Sequence, residues 1–160
     1  MQVRRYRVIF NMGEVYLAAL VCAFLAGSED ETRKYFDVNG LPRFVRVDCE
    51  TDTHAIEIGL DGKASARDSL HQALFAAHLT GKIPVVLLID RDGFEGRYEY
   101  ELRQTTATTG VIYATCHEDF ILRWAATSGL RPSAPDRDDL PAAGPARSLC
   151  DLSGLRGAEG

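Results

Sequence analysis

The stretch LPRFVRVDCETDTHAIEIGLDGKASARDSLHQALFAAHLTGKIPVVLLID, residues 41–90, decides the fold. In residues 44–50 apolar and polar side chains alternate with period two. Val45, Val47 and Cys49 fall on one face, and Arg46, Asp48 and Glu50 on the other, the pattern of a half-buried strand. Thr51 and Asp52 supply turn chemistry, and residues 53–60 read as the returning strand, with His54, Ile56, Ile58 and Leu60 opposed to Ala55, Glu57 and Gly59. A turn at 51–52 brings Asp48 and Glu57 onto neighbouring strands, within a residue or two of facing each other. The pattern Ser65-Ala-Arg-Asp68 opens a helix that runs to Thr80 and stops at Gly81, with Leu70, Leu74 and Ala77 as its expected core face and Ala73 beside them. Residues 83–89, IPVVLLI, form a continuous apolar run of the kind found in a strand covered on both faces.

Upstream, residues 13–25 are strong helix formers, apolar around most of the circumference, with Gly27 placed to cap the end. Glu14 in the first turn either complements the helix dipole at the surface or enters the interior. The same apolar run, preceded by Arg4, Arg5 and Arg7, also fits the apolar part of a secretory leader, although Glu14 stands where that flank should be basic. A cytoplasmic location is favoured, and a periplasmic or secreted one follows if residues 1–27 are a signal. At about 12 residues the run is too short to span a bilayer. Residues 2–10 read as a strand or an arm, and the charged segment 28–39 as a solvated helical turn or loop before the Asn39-Gly40 turn.

Downstream, residues 90–93 form a turn and residues 94–106 a helix, with Phe94, Tyr98 and Leu102 as a stripe packed on the sheet. Residues 110–115 read as a strand. A capping pattern, Thr115 to Glu118, precedes a helix at 118–126. Four cysteines, Cys22, Cys49, Cys116 and Cys150, are scattered without a C-x-x-C pair and read as buried thiols rather than a zinc site or a disulfide framework. Adjacency of Cys116 and His117 is poor support for a thiol dyad. Beyond Ser128, Pro132, Pro135, Pro141 and Pro145 are set among Ala, Gly, Asp and Arg, so one domain is expected over 1–127 and a flexible tail over 128–160. Within that tail only residues 149–155 suggest a docking segment.

A chain of 160 residues with 46% hydrophobic and 26% charged side chains can bury a core without a metal or disulfide staple. Its net charge of −5 gives no general attraction for a polyanion, so any nucleic-acid contact must be a local basic patch or pass through bound metal.

Helix, strand, strand, helix, strand, with Asp48 late on one strand, Glu57 on the next and Gln72 on the following helix, resembles the PD-(D/E)XK, restriction-endonuclease-like nuclease superfamily. The phrases RVDCETDTHAIEIG and SLHQALFAAHLTGKIPVVLLI resemble a small bacterial and phage branch of it. The likeness covers residues 13–90, about half the chain. It implies an α/β fold with a restriction-endonuclease-like αββ(β)αβ core, a mixed sheet flanked by helices, and hydrolysis of DNA phosphodiester bonds with Mg2+ or Mn2+. By the same resemblance Asp48 and Glu57 are metal ligands, Glu14 is a third acidic group, and Gln72 orients water or a phosphate. The superfamily places a lysine two residues after the glutamate, and here that position is Gly59. Lys63 is the expected substitute and Arg67 a weaker one. Two carboxylates held together repel unless a cation compensates them, and hard oxygen ligands suit magnesium. On position alone, Asp48, Glu57 and Gln72 also fit exposed surface residues, and a catalytically inactive binding or structural module of the same fold is the rival. Oligomeric state is not readable from the chain.

Overall fold

Asn39 and Gly40 adopt positive φ angles of 54° and 80°, and this two-residue turn joins two long strands, β1 (Glu29–Val38) and β2 (Leu41–Glu50). Turns of this hand match the right-handed twist of a hairpin, which is why Asn-Gly occurs in them. Asp37 Oδ1 secures it by accepting the Gly40 amide at 2.7 Å. The expected solvated turn or loop over 28–39 is therefore replaced by a strand. Its charges misled because a surface strand carries polar side chains on its open face as readily as a surface helix does.

The computed structural model describes residues 13–25, 29–130, 150, 151 and 155. The expected strand or arm at 2–10 and the cap at Gly27 lie outside them. The elements run α1 (Glu14–Phe24), β1, β2, β3 (His54–Leu60), α2 (Ala66–Thr80), β4 (Ile83–Asp90), α3 (Arg97–Thr109), β5 (Ile112–His117), α4 (Glu118–Ala126) and a two-residue β6 (Cys150–Asp151). They build one mixed sheet in the order β1-β2-β3-β4-β5-β6, antiparallel from β1 to β3, parallel from β3 to β5 and antiparallel again at β6. The expected α/β class with a mixed sheet flanked by helices is what the chain forms.

Each face of the sheet has its own core. On one side Leu17 and Val21 of α1 and Ile121 of α4 pack against Ile56, Ile58, Leu87 and Ile89. Phe24 closes this layer with edge-on contacts to Phe120 and Trp124 at 5.3 and 5.5 Å between ring centres. The apolar run that also fits a leader is thus a core helix. On the other side Ala66 and Ala73 of α2 and Leu102 of α3 cover Val86, Leu88 and Val111.

Helix α2 meets the sheet through small side chains. Its buried residues are Ala66, Ser69, Ala73 and Ala76, with the expected Leu70 partly buried against the same core, whereas the expected Leu74 is 39% exposed, so the core face is turned from the expected stripe toward the small residues. The reason lies at Gly59, where an added Cβ would stand 2.9 Å from Leu88 Cδ2 and 3.1 Å from Ser69 Oγ. Helix and strand approach too closely for large residues between them. The Ser65 side chain does not cap α2, and His117 rather than Thr115 caps α4, its Nδ1 accepting the Asp119 amide at 3.2 Å. Helix α3 begins at Arg97, leaving Phe94 outside it and 77% exposed, so the expected three-residue stripe reduces to Tyr98 and Leu102.

All four cysteines are paired, Cys22 with Cys49 and Cys116 with Cys150, correcting the expectation of buried thiols. Spacing in sequence did not show this because each bridge joins separate elements, α1 to β2 and β5 to β6. The second bridge and the partial burial of Leu155 against the core also revise the boundary at 127, since part of the expected tail belongs to the domain.

Titration of the unfolded, unreduced chain with a thiol reagent should find no free thiol and, after reduction, four; reduction should lower stability by about 2–4 kcal/mol per bridge in urea melts. Gly59→Ala should cost about 1–3 kcal/mol by the same measurement, because Leu88 is fully buried and has little room to yield.

Candidate functional site

Strands β2 and β3 pair at Cys49↔Ile56 and Glu50↔Ala55, a register that sets Asp48 across from Glu57. At that point the ladder changes hands. The Ile58 amide donates to Asp48 Oδ2 at 2.8 Å, so a side-chain carboxylate accepts a bond that a strand carbonyl would otherwise take. The strand turns with it: Cys49 belongs to the core under α1, whereas Val47 packs with Ala55 and Ala76 on the α2 side. Val45, Val47 and Cys49 therefore do not share one face, because regular alternation is interrupted at Asp48.

Glu57 lies in the middle of β3, a strand buried along its whole length, and is only 2% exposed. This removes the reading of Glu57 as an ordinary surface carboxylate. Its Oε1 has no hydrogen-bond partner. Burial, then the negative charge of Asp48, then a hydrogen bond shared with Asp48 push the Glu57 carboxyl up to about 9. A buried acid beside a second acid, with one oxygen unsatisfied, is a strained arrangement for the protein alone.

Both carboxylates open on a cleft of about 460 Å³ lined by Val45, Arg46, Asp48, Glu57, His71, Gln72 and Phe75. Gln72, an exposed residue of α2, lines this cleft with them. A second, adjoining cavity is lined by Glu14, Asp48, Asp68, Ser69 and Gln72 among others, so Asp48 and Gln72 are common to both. Glu14 is half-buried and shares this second cavity with Asp48. It does not close up with Asp48 and Glu57 into a three-carboxylate group.

The two cations expected to replace the missing lysine are elsewhere. Lys63 is exposed and lines neither cavity. Arg67 pairs with Glu101 of α3 at 2.7 Å and lies over the Tyr98 ring. The turn into α2 points Lys63 outward, and α3 draws Arg67 away from β3. Position 59 itself admits no long side chain, given the contacts an added Cβ would make there. The cleft instead contains Arg46 and His71, which sequence reasoning passed over. Arg46 is two residues before Asp48 on the same strand and His71 adjoins Gln72, and those offsets were the available signals.

Among the described residues, the one group of three carboxylates close enough to share an ion is Asp61, Asp90 and Asp92, at the ends of β3 and β4. These groups already have protein partners. Asp61 accepts the Arg91 backbone amide and Nε at 2.8 and 2.9 Å, Asp90 Oδ1 accepts the amides of Asp92 and Gly93, and Asp92 Oδ1 accepts that of Phe94. They shape the β4–α3 turn.

Comparison of the chain with protein-family models, curated proteins and solved structures finds no match.

In metal-free buffer, the native chain keeps the Glu57 proton between pH 4.5 and about 9, where the unfolded chain has released it. Stability from this group is complete below the lower value and is lost as pH rises through the upper one. Urea melts in a chelator should show the unfolding free energy of wild type falling by up to about 1.4 kcal/mol per pH unit relative to Glu57→Gln across that window. Parallel pH profiles for the two proteins would contradict it.

Proposed function

We propose that this protein is a divalent-metal-dependent nuclease that hydrolyses phosphodiester bonds of DNA, with Asp48 and Glu57 holding the metal and Gln72 beside it. The observation that carries this is the unpartnered, buried oxygen of Glu57 standing against Asp48 at the base of an open cleft. A bound cation would satisfy the Glu57 oxygen, and hard carboxylate donors with space for water suit Mg2+ or Mn2+. The resemblance of residues 13–90 to the restriction-endonuclease-like superfamily supports the same assignment of roles, and the helix–hairpin–strand–helix–strand order agrees with it.

When bound, such a cation supplies Lewis acidity toward a phosphoryl oxygen and lowers the pKa of a coordinated water. The chain's own residues do the remainder. Burial of Glu57 excludes competing water from one side of the site, and the Ile58 amide holds Asp48 in place through its 2.8 Å bond. The Gln72 amide orients the attacking water or a phosphate oxygen from above. Arg46 lines the same cleft and is the nearest counterpart there to the charge that the superfamily draws from its lysine. Glu14 and Asp68 line the adjoining cavity, at the edge of the site.

A second reading has its own observation. Gly59 is packed against Leu88 and Ser69, and neither Lys63 nor Arg67 reaches the carboxylates, so the fold also suits an inactive module that binds without cleaving. Among the described residues no helix is long and apolar enough to cross a membrane. The two disulfides favour an oxidising compartment, periplasmic or extracellular, over the cytoplasm first expected.

Purified protein should nick plasmid or single-stranded DNA with Mg2+ or Mn2+ but not with a chelator. Asp48→Asn and Glu57→Gln should each lower the rate by at least about 100-fold. Lys63→Ala should leave it within about twofold. Absence of cleavage with every metal, together with no effect of divalent ions on melting temperature at pH 8, would leave the inactive module.

A further inference from the structure

Strand β1 stands first in the sheet order, and among the described residues no strand pairs with its outer edge. It runs ten residues without proline or glycine and keeps regular register with β2 to its end, so its outward amides and carbonyls form a template for a further strand. Phe36 meets Phe75 of α2 edge-on at 5.1 Å, which assigns the even positions here to the helix side. Side chains alternate along a strand, so Arg33, Tyr35 and Asp37 share the open face. There Tyr35 is 68% exposed, its ring centre 5.9 Å from that of Phe44, and the Arg33 guanidinium lies 4.9 Å over the Phe44 ring. Asp37 is exposed too, and its Oδ1 accepts the Gly40 amide at 2.7 Å, a bond that uses one of its two oxygens.

The pattern on that face, Arg33-x-Tyr35-x-Asp37, is self-complementary. When two identical strands pair antiparallel about a two-fold axis perpendicular to the sheet, one residue stands opposite its own copy, because facing residues must lie on the same side of the sheet. With the axis at Tyr35, position 33 falls opposite position 37 of the second copy, on both sides of the axis. Two Arg–Asp pairs then flank a row of four rings, Phe44 and Tyr35 with the same two from the copy. Aromatic and opposite-charge pairs across strands are the ones that stabilise a sheet. Moving the axis by one residue sets Lys34 against its own copy or Tyr35 against Asp37, and both ion pairs are lost. Within one chain Arg33 and Asp37 stand four positions apart along the strand, roughly 13 Å, and Arg33 turns to the Phe44 ring instead. The occupant that supplies each Arg33 with an acid and covers the exposed rings with rings is thus a second copy of this chain.

We infer that β1 is a dimerisation edge: two copies of this chain pair antiparallel through β1, about Tyr35, and join their sheets into one. The inference is independent of the nuclease reading. A seam of one strand per chain is small, so the dimer is reversible, with a dissociation constant in the micromolar range.

The test is sedimentation velocity of the full, oxidised chain from about 1 to 200 µM. Wild type should pass from monomer to dimer across that range. Tyr35→Lys puts two ammonium groups at the axis and Arg33→Asp sets acid against acid, and each should weaken association at least about tenfold. Both positions are exposed, so the melting temperatures of these variants should stay near wild type. An equal mixture of Arg33→Asp and Asp37→Arg chains should associate more tightly than either alone, since every facing pair is again opposite in charge. Asp37→Arg also gives up the Gly40 bond, so the two exposed-site variants carry the result if it does not fold. Phe94→Ser removes a ring that is 77% exposed on the β4–α3 turn and should leave association unchanged. Register is read from cross-linking under mild oxidation. Tyr35→Cys should give a covalent dimer on a non-reducing gel, because facing residues lie about 5 Å apart between Cα atoms, and Arg33→Cys should not. A wild type that stays monomeric at the top of the range, association unaltered in Tyr35→Lys and Arg33→Asp, or cross-linking by Arg33→Cys as readily as by Tyr35→Cys would overturn the inference.

Discussion

The Asp48 carboxylate accepts the Ile58 amide at 2.8 Å at the point where β2 leaves β3, and much of the architecture depends on that bond. It supplies the hydrogen-bond partner that the interrupted ladder would otherwise lack, so a strand buried on both faces has its amide satisfied. It also fixes Asp48 beside Glu57. A carboxylate used this way is held by the backbone of the strand that carries its neighbour, and the Asp48 side chain cannot swing away without giving up the Ile58 amide. Burial first, and then the charge of Asp48 held so close, raises the Glu57 carboxyl.

Departure of β2 from β3 has a second consequence. Beyond Asp48 the hairpin extends past the sheet, packed on one side by α2 through Phe36 and Phe75 and open on the other. The cleft lies where hairpin, β3 and α2 diverge, and its lining therefore comes from all three. Helix α2 comes close enough to place Gln72 over the cleft because Gly59, Ser69, Ala73 and Ala76 leave no large side chain between helix and strands. The same close approach denies position 59 to a lysine. Close packing that positions one polar group thus excludes another, and the cationic part of the site has to come from the cleft wall, where Arg46 and His71 are.

The disulfides tie this arrangement to the other half of the domain. Cys22 on α1 is bonded to Cys49, next to Asp48, so the helix bearing Glu14 is joined covalently to the strand bearing the first carboxylate. Cys116 and Cys150 hold the sheet's far edge to a segment whose composition alone has few large apolar residues. Both bridges stabilise contacts distant in sequence, which local propensity does not favour.

Residues 41–90 by themselves determined a hairpin, a helix and a buried strand, because period-two alternation, a turn at Thr51-Asp52 and an unbroken apolar run are local signals. They also placed Asp48 near Glu57 and Gln72 on the next helix, since register follows from turn position. Asn39-Gly40 marked a turn, yet β1 is not legible before it because its charged residues suit a helix surface equally well. What only the tertiary structure decided was environment: the burial of Glu57, the small-residue face of α2, the outward turn of Lys63, the capture of Arg67 by Glu101, and the pairing of four cysteines. Each depends on which element lies opposite in space, and pattern within a segment carries no information about the partner that covers it.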